Sequence, residues 1–496
     1  MVSKRGYQSK ENLKSNARVV FTKVFTPLVI SWKFNSSPAS YRFFPYKYSD
    51  YDGPYIVNES YIQNFPFIYR SKNLPWDLGN LYLFWYYNFH IAKGDVPIVT
   101  LRSIANALCA FLRFIEHEQS EGSKIHELHF PNEQAFRVTY RYRAYLYKAI
   151  RDQILSLGTA KLRMNIIINF YRALIEHKLV AENKIDSPPF IERNSGVMYV
   201  TGNGLPRALK ILSTDLAFKQ RRSNNYSFDG SIQDGEKLHP LKKNEVEAIF
   251  AELKNINNYT YELIFMFALY TGARIQTIGT LRIEPFLSAF EQQKNKAEMT
   301  LKVGAGTGID TKFDKQYRLF IPIELAKKII IYIQSQMARE ARTKSFYGDS
   351  DENYIFLNRD GRGFYTSKKE IIDRQNPKHS EKFSVHEISS LPIAYGQSIR
   401  NVVHRIVKKI SKNTSDFRPF RFHDLRATYG MDFVNWATDS GMKPQIILEQ
   451  CKARMGHSSI QTTQRYLDYK DSYIRAAYYN KEYVKRRYRF IDSGEK

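Results

Sequence analysis

Cysteine is nearly missing from this chain: 496 residues contain only Cys109 and Cys451. Two thiols support neither a disulfide framework nor a cysteine-built zinc site, and Cys109 falls on an apolar helical stripe, which reads as core packing. Long apolar runs are missing too. Near the N-terminus the longest, Val19 to Trp32, is 14 residues and contains Lys23, short of the about 20 that a membrane span needs. Met1 to Arg18 is polar and charged, with no apolar stretch placed for secretion, so a cytoplasmic protein with no membrane partner is expected. Acid is scarce: 49 Asp and Glu stand against 75 Lys and Arg, a net charge of +26 spread along the whole sequence. Such a surface seeks a polyanion, and nucleic acid comes first, because neutralising phosphates releases condensed counterions.

Tyrosine, by contrast, is plentiful. With 35 of them, no tyrosine can be singled out by scarcity. Several alternate with bases, as in Tyr140-Arg141-Tyr142-Arg143; this suits phosphate contact with stacking and equally an amphipathic face with snorkelling cations. A length of 496 residues implies two or three domains. Residues 1–75 are rich in Phe, Tyr, Pro and Ser without helical period, an N-terminal extension of unreadable role. Leu101, Ile104, Ala105, Leu108, Leu112 and Ile115 predict a helix behind Thr100 as N-cap, and Thr159 to Leu174 predicts another. Residues 76–225 therefore read as an all-helical module. Leu212 to Glu236 reads as a polar linker. Beyond it, 226–496 reads as mixed: helices at Leu241–Leu253 and Tyr261–Tyr270, a strand-turn-strand through Leu301–Val303 and Tyr317–Ile323, then helices at Leu325–Met337 and Ile399–Ile410. The charged, Gly-rich stretch 341–383 reads as an exposed insertion around a short strand at Tyr354–Leu357. The expected fold is mainly α with a small β-sheet.

Four blocks carry the chemistry: Tyr270-Thr271-Gly272-Ala273-Arg274; Thr311-Lys312 leading to Arg318-Leu319-Phe320-Ile321-Pro322; His423-Asp424-Leu425-Arg426; and Gly456-His457, with Tyr466 nine residues beyond His457. Singly each is commonplace: an arginine after a turn is usually a solvated charge, and a glycine there a helix cap. Together, in this order and spacing, they resemble the tyrosine recombinase, or phage integrase, family. The match covers about 240 to 470 closely and Thr159 to Ile185 more loosely.

The resemblance implies a site made of Arg274, Lys312, His423, Arg426, His457 and Tyr466, and the residue types fit it. At its pentacoordinate transition state a phosphodiester needs fixed cations and donors around its non-bridging oxygens. Arginine offers a planar, permanently charged fork for that. Tyrosine, with a pKa of about 10, becomes a nucleophile where a positive field and a proton acceptor favour its phenolate. His423 is placed to accept that proton or hold the phosphate, Lys312 to protonate the departing 5′-oxygen, and His457 to donate to a phosphate oxygen. Lys315 competes with Lys312 for the acid's role.

Two departures from the family stand out. Thr277 occupies the position, three after the first arginine, where an acid is usual, and the insertion 341–383 is long. By resemblance the chain is expected to clamp double-stranded DNA in a C-shape, the helical module before the catalytic domain. It should recombine two sites as a tetramer through a 3′-phosphotyrosyl link and a Holliday junction, without metal or cofactor, serving a mobile element on the bacterial nucleoid, with possible accessory proteins. The tail 472–496 is expected to pack on a neighbouring protomer. The rivals are a type IB topoisomerase and a catalytically silent DNA-binding relative.

Overall fold

The periodicities of the sequence become helices where one face finds a core, as the computed structural model shows. It describes residues 13–25, 28–32, 43–44, 55–58, 62–91, 99–200, 206–218, 230–374, 391–413 and 417–473, and the chain divides into two units, Met1–Ser223 and Asn224–Lys496.

In the first unit, strand β1 (Arg18–Phe25) pairs antiparallel with β5 (Ile62–Tyr69), while β2 (Leu28–Trp32) lies between β3 (Phe43–Phe44) and β4 (Tyr55–Asn58). Four helices follow: α1 (Asp77–Tyr86), α2 (Val99–Ser120), α3 (Val138–Arg151) and α4 (Leu157–Glu176). Helix α2 begins at Val99, so Thr100 is inside it rather than its cap. Ser156 caps α4, its hydroxyl accepting from the Thr159 amide at 3.1 Å. The helical expectation left out a second hairpin, β6 (Glu192–Val200) with β7 (Pro206–Thr214). Of the described residues before 75, Ala17, Ile62, Phe65 and Ile68 are buried in one core with Leu108, Phe111, Met164 and Phe170 of α2 and α4. Cys109 is buried there, and burial pushes its thiol up to about 11.

The second unit opens with a short hairpin where a linker was expected, β8 (Ile232–Asp234) against β9 (Glu236–Leu238). Gly235 makes the reversal at φ +73°, a conformation that side chains resist. Helices α5 (Lys243–Ile256), α6 (Tyr259–Thr271), α7 (Ile275–Gly279) and α8 (Ile283–Glu291) come next. The antiparallel pair β10 (Glu298–Val303) and β11 (Tyr317–Pro322) then leads into α9 (Ile323–Gln334) and α10 (Gln336–Thr343). Helices α11 (Lys368–Asp373), α12 (Gln397–Asn413), α13 (Asp424–Asp439), α14 (Pro444–Met455) and α15, residues 460–473, complete it. Apolar faces of α5, α6, α9 and α12 and one face of the β10–β11 pair bury a single core around Phe265, Phe267, Leu319 and Ile406.

The stretch expected to be an exposed insertion is packed through residue 374. Tyr354, Ile355, Phe356 and Leu357 are buried, though joined to the rest by isolated bridges rather than a regular strand. Charge is tolerated there because it is paired: Arg374 bridges Glu370, and the Arg282 guanidinium lies 4.2 Å from the Tyr354 ring centre and donates to Ser367 Oγ at 2.7 Å. The tail expected to pack on a neighbouring protomer, 472–496, lies outside the described residues beyond Tyr473.

Candidate active site

Helix ends and one hairpin deliver the expected site residues. Helix α6 stops at Gly272, whose φ of +63° lets the chain turn sharply, and Arg274 follows as the residue before α7. No side chain fits at Gly272, since a Cβ would lie 2.6 Å from Tyr429 Cδ1. His423 and Arg426 sit at the start and in the first turn of α13. Gly456, at φ +61°, ends α14 and places His457 directly after it, and Tyr466 is carried by α15. Lys312 and Lys315 lie in the connection between β10 and β11.

Four of the six expected residues meet at one carboxylate that the sequence did not single out, Asp234 of β8. Arg426 Nε donates to Asp234 Oδ2 at 2.9 Å, Tyr466 donates its hydroxyl to the same oxygen at 3.1 Å, and His457 Nε2 lies 3.0 Å from it. Arg274 Nη2 is 3.5 Å from Oδ1. The remaining edges of Arg426 are committed, Nη1 to the Gly272 carbonyl at 2.7 Å and Nη2 to that of Met455 at 2.6 Å. Arg426 is 1% exposed and Tyr466 0%, so both face inward.

The next carboxylate along the hairpin, Glu236, takes the fifth: its Oε1 lies 3.1 Å from His423 Nδ1. Lys312, the sixth, is at the same turn, its Nζ 3.5 Å from where a Cβ on Gly235 would stand, and its charge adds to the His423 hydrogen bond, the main cause, in holding the Glu236 carboxyl low. Lys315 donates to the Gly456 carbonyl at 2.8 Å. Burial lowers its pKa, and the nearby cations Lys452, Arg274 and Arg426 lower it further. The hairpin connection thus brings both lysines to the site.

Electrostatics follow from this crowding. Burial would raise the Asp234 carboxyl, but Arg426, the His457 hydrogen bond and Arg274 together hold it far below the usual carboxylate range. Burial lowers His457, Arg426 and Arg274 lower it further, and Asp234 only partly opposes them. A neutral imidazole fits its surroundings, Nε2–H donating to Asp234 and Nδ1, 3.0 Å from Thr463 Oγ1, accepting from that hydroxyl. Burial and then the Asp234 charge push Tyr466 well above its ordinary value, Arg426 opposing. Two buried nitrogens, Arg274 Nε and His423 Nε2, have no hydrogen-bond partner among the described residues.

Sequence reasoning missed Asp234, Glu236 and Thr463. The only available signal was Asp234-Gly235, a turn pair, with apolar Ile232 and Leu238 on either side. Thr277, where the family usually has an acid, is buried with its hydroxyl unpartnered among the described residues; the acid beside Arg274 is supplied by β8 instead.

Among the described residues no helix is long and apolar enough to cross a membrane, and no group of three His, Cys, Asp or Glu side chains is placed to hold a metal ion. No curated protein sequence matches the chain. Solved structures resemble it at low identity. An integrase of the transposon Tn1549 in complex with circular-intermediate DNA is 15% identical, with 78% of this chain and 94% of that one covered and a TM-score of 0.41. Lambda integrase bound to DNA is 12% identical, with 78% and 96% covered and a TM-score of 0.38. XerA recombinase is 14% identical, with 82% and 98% covered and a TM-score of 0.29. The model of the phage integrase family matches residues 239–472. That span, just under half of the chain, holds all six expected residues, each at a helix end, in a helix or in the hairpin connection, and over it the chain is similar to the phage integrase family, the tyrosine recombinases.

Proposed function

We propose that this chain is a tyrosine recombinase that cuts and rejoins double-stranded DNA with Tyr466 as nucleophile, serving a mobile element on the bacterial nucleoid. One observation carries the reading: Arg274, Arg426, His457 and Tyr466 converge on a single anionic position, now held by Asp234. A phosphodiester placed there has its non-bridging oxygens on the two guanidinium groups and on His457, donors fixed before reaction begins. The Tyr466 oxygen attacks phosphorus as His423 accepts its proton, and the 5′-oxygen leaves with a proton from Lys312. A 3′-phosphotyrosyl bond replaces the broken phosphodiester. Because the bond energy is conserved, a 5′-hydroxyl of a partner strand reverses the step without a nucleotide cofactor. Two such exchanges, made by a tetramer on paired sites, form and resolve a Holliday junction.

Covalent trapping tests this. Nicked half-site duplexes, in which the cleaved strand loses its short 5′-hydroxyl fragment and cannot reseal, should leave protein attached to a 3′-phosphate, and peptide mapping should place the link on Tyr466. Adducts with supercoil relaxation but no strand exchange indicate a topoisomerase; binding without adducts indicates a silent relative.

A further inference from the structure

The β8–β9 hairpin stands where DNA must go. Asp234 carries one negative charge, as does a phosphodiester, and its two oxygens collect the donors that a scissile phosphate needs: Arg426 Nε, His457 Nε2, the Tyr466 hydroxyl and, more distantly, Arg274 Nη2. Two residues on, Glu236 engages His423 and the exposed Arg421. All this comes from a hairpin of three residues per strand, anchored by the buried Ile232 and Leu238 and tied down by Arg465, which donates to the Gln233 carbonyl at 2.7 Å.

We infer that the Asp234-Gly235-Glu236 turn is an autoinhibitory phosphate mimic, which keeps Tyr466 covered and silent until a DNA phosphate displaces it.

This rests on the reading of the site as a phosphodiester site, and three observations favour mimicry over a merely supporting carboxylate. Asp234 binds the edges that face the reacting atoms, whereas the backbone carbonyls of Gly272 and Met455 already orient Arg426 from its other edges. The mimic is incomplete: Arg274 Nε and His423 Nε2 stay without partners among the described residues, and a tetrahedral oxyanion brings more acceptors than a planar carboxylate. Finally, the Asp234 charge adds to burial in raising the Tyr466 pKa, opposing the phenolate that the reaction requires. A tethered carboxylate competes at an effective concentration of about millimolar. Duplex DNA outcompetes it because many phosphates bind the basic surface at once, while isolated oxyanions are turned away.

Asp234→Asn is the test, since it keeps the side chain's size and removes the charge. With nicked half-sites of randomised sequence at limiting concentration, the variant should form covalent adduct at least about tenfold faster than the unaltered chain, the gain expected when a competent state held near one-tenth is released. Orthovanadate, an oxyanion that adopts the transition state's shape, should bind the variant at least about tenfold more tightly by the same argument. Equal or slower trapping together with equal or weaker vanadate binding overturns mimicry and makes Asp234 a positioning residue. If neither protein forms adduct, the recombinase reading has failed, and the vanadate arm decides mimicry by itself. If the variant does not fold, hydrogen exchange of the unaltered protein decides: with vanadate bound, amides of 232–238 should exchange faster, and slower or unchanged exchange overturns the inference.

Discussion

The ring of Tyr466 lies against Gly430 of α13: a Cβ built on that glycine would stand 2.5 Å from Tyr466 Cε1 and 3.0 Å from Cδ1. The glycine is buried in mid-helix, where alanine favours the helix by up to about 1 kcal/mol and overpacking costs about 1 to 3 kcal/mol. Gly430→Ala should therefore change stability modestly, with a thermal midpoint within a few degrees of the unaltered chain. Cleavage should suffer far more, because displacing a reacting group by about 1 Å can cost 100-fold. Single-turnover trapping beside a melting curve checks both, and normal trapping would mean that the ring is placed by other contacts.

Tyr466→Phe removes one hydroxyl. It should abolish covalent attachment while leaving DNA binding nearly unchanged, because phosphate contacts elsewhere supply affinity and position. Denaturing gels and an equilibrium binding assay read the two effects. A persistent adduct would move the nucleophile, with Tyr469 the first alternative.

The two arginines should separate under mutation, although the sequence treats them alike. Either change to alanine should lower cleavage by at least about 100-fold, the scale seen when one preorganised donor is lost. Arg426 is also a structural cation, bonded to two carbonyls and to the buried Asp234, and stranding a buried carboxylate costs about 3 to 5 kcal/mol. Arg426→Ala should thus lower the melting temperature markedly, whereas Arg274→Ala, whose side chain is 21% exposed and reaches Asp234 only at 3.5 Å, should lower it less. Lysine should rescue either poorly, since it lacks the fork. Equal melting temperatures for the two alanine variants would sink the distinction.

How far the site was legible depended on where each partner lay in sequence. Arg274 announced itself because Gly272 must end a helix beside it, and Tyr466 because its spacing from His457 is short and local. Asp234 gave no such sign. Its bonds to Arg426 and Tyr466 cross 192 and 232 residues, and a lone Asp-Gly in a polar stretch is indistinguishable from a linker turn. The strands β1 and β5 were hidden in the same way, because each finds its partner across some forty residues rich in Pro and aromatics. The stretch around Tyr354 was misjudged as exposed because its charges pair with one another rather than with water.

Asp234 also sets a pH dependence with a definite sign. Its folded pKa is depressed, so its contribution to stability is complete above the unfolded value of about 3.9 and is lost as pH falls from there towards the folded value. The melting-temperature gap between the unaltered chain and Asp234→Asn should be flat from about pH 5 upward and narrow progressively as pH falls below about 4. A gap that closes instead on the alkaline side would show that the carboxyl is not held ionised.

The remaining choice is between two lysines on one hairpin connection. Lys315 is engaged with the Gly456 carbonyl and lies within the field of Arg274 and Arg426, which suits holding the chain beside His457. Lys312 stands at Gly235, beside the turn that a phosphate must replace, which suits a group that meets the leaving oxygen once DNA is seated. A bridging 5′-sulfur separates the roles, because a thiolate departs without the proton an alkoxide needs. Lys312→Ala should cleave an ordinary substrate poorly and the sulfur-bridged one nearly as well as the unaltered chain does. Lys315→Ala should show no such selective rescue, any loss being shared by both substrates. Rescue of Lys315→Ala alone would transfer the acid's role to Lys315 and leave Lys312 as a contact to the backbone.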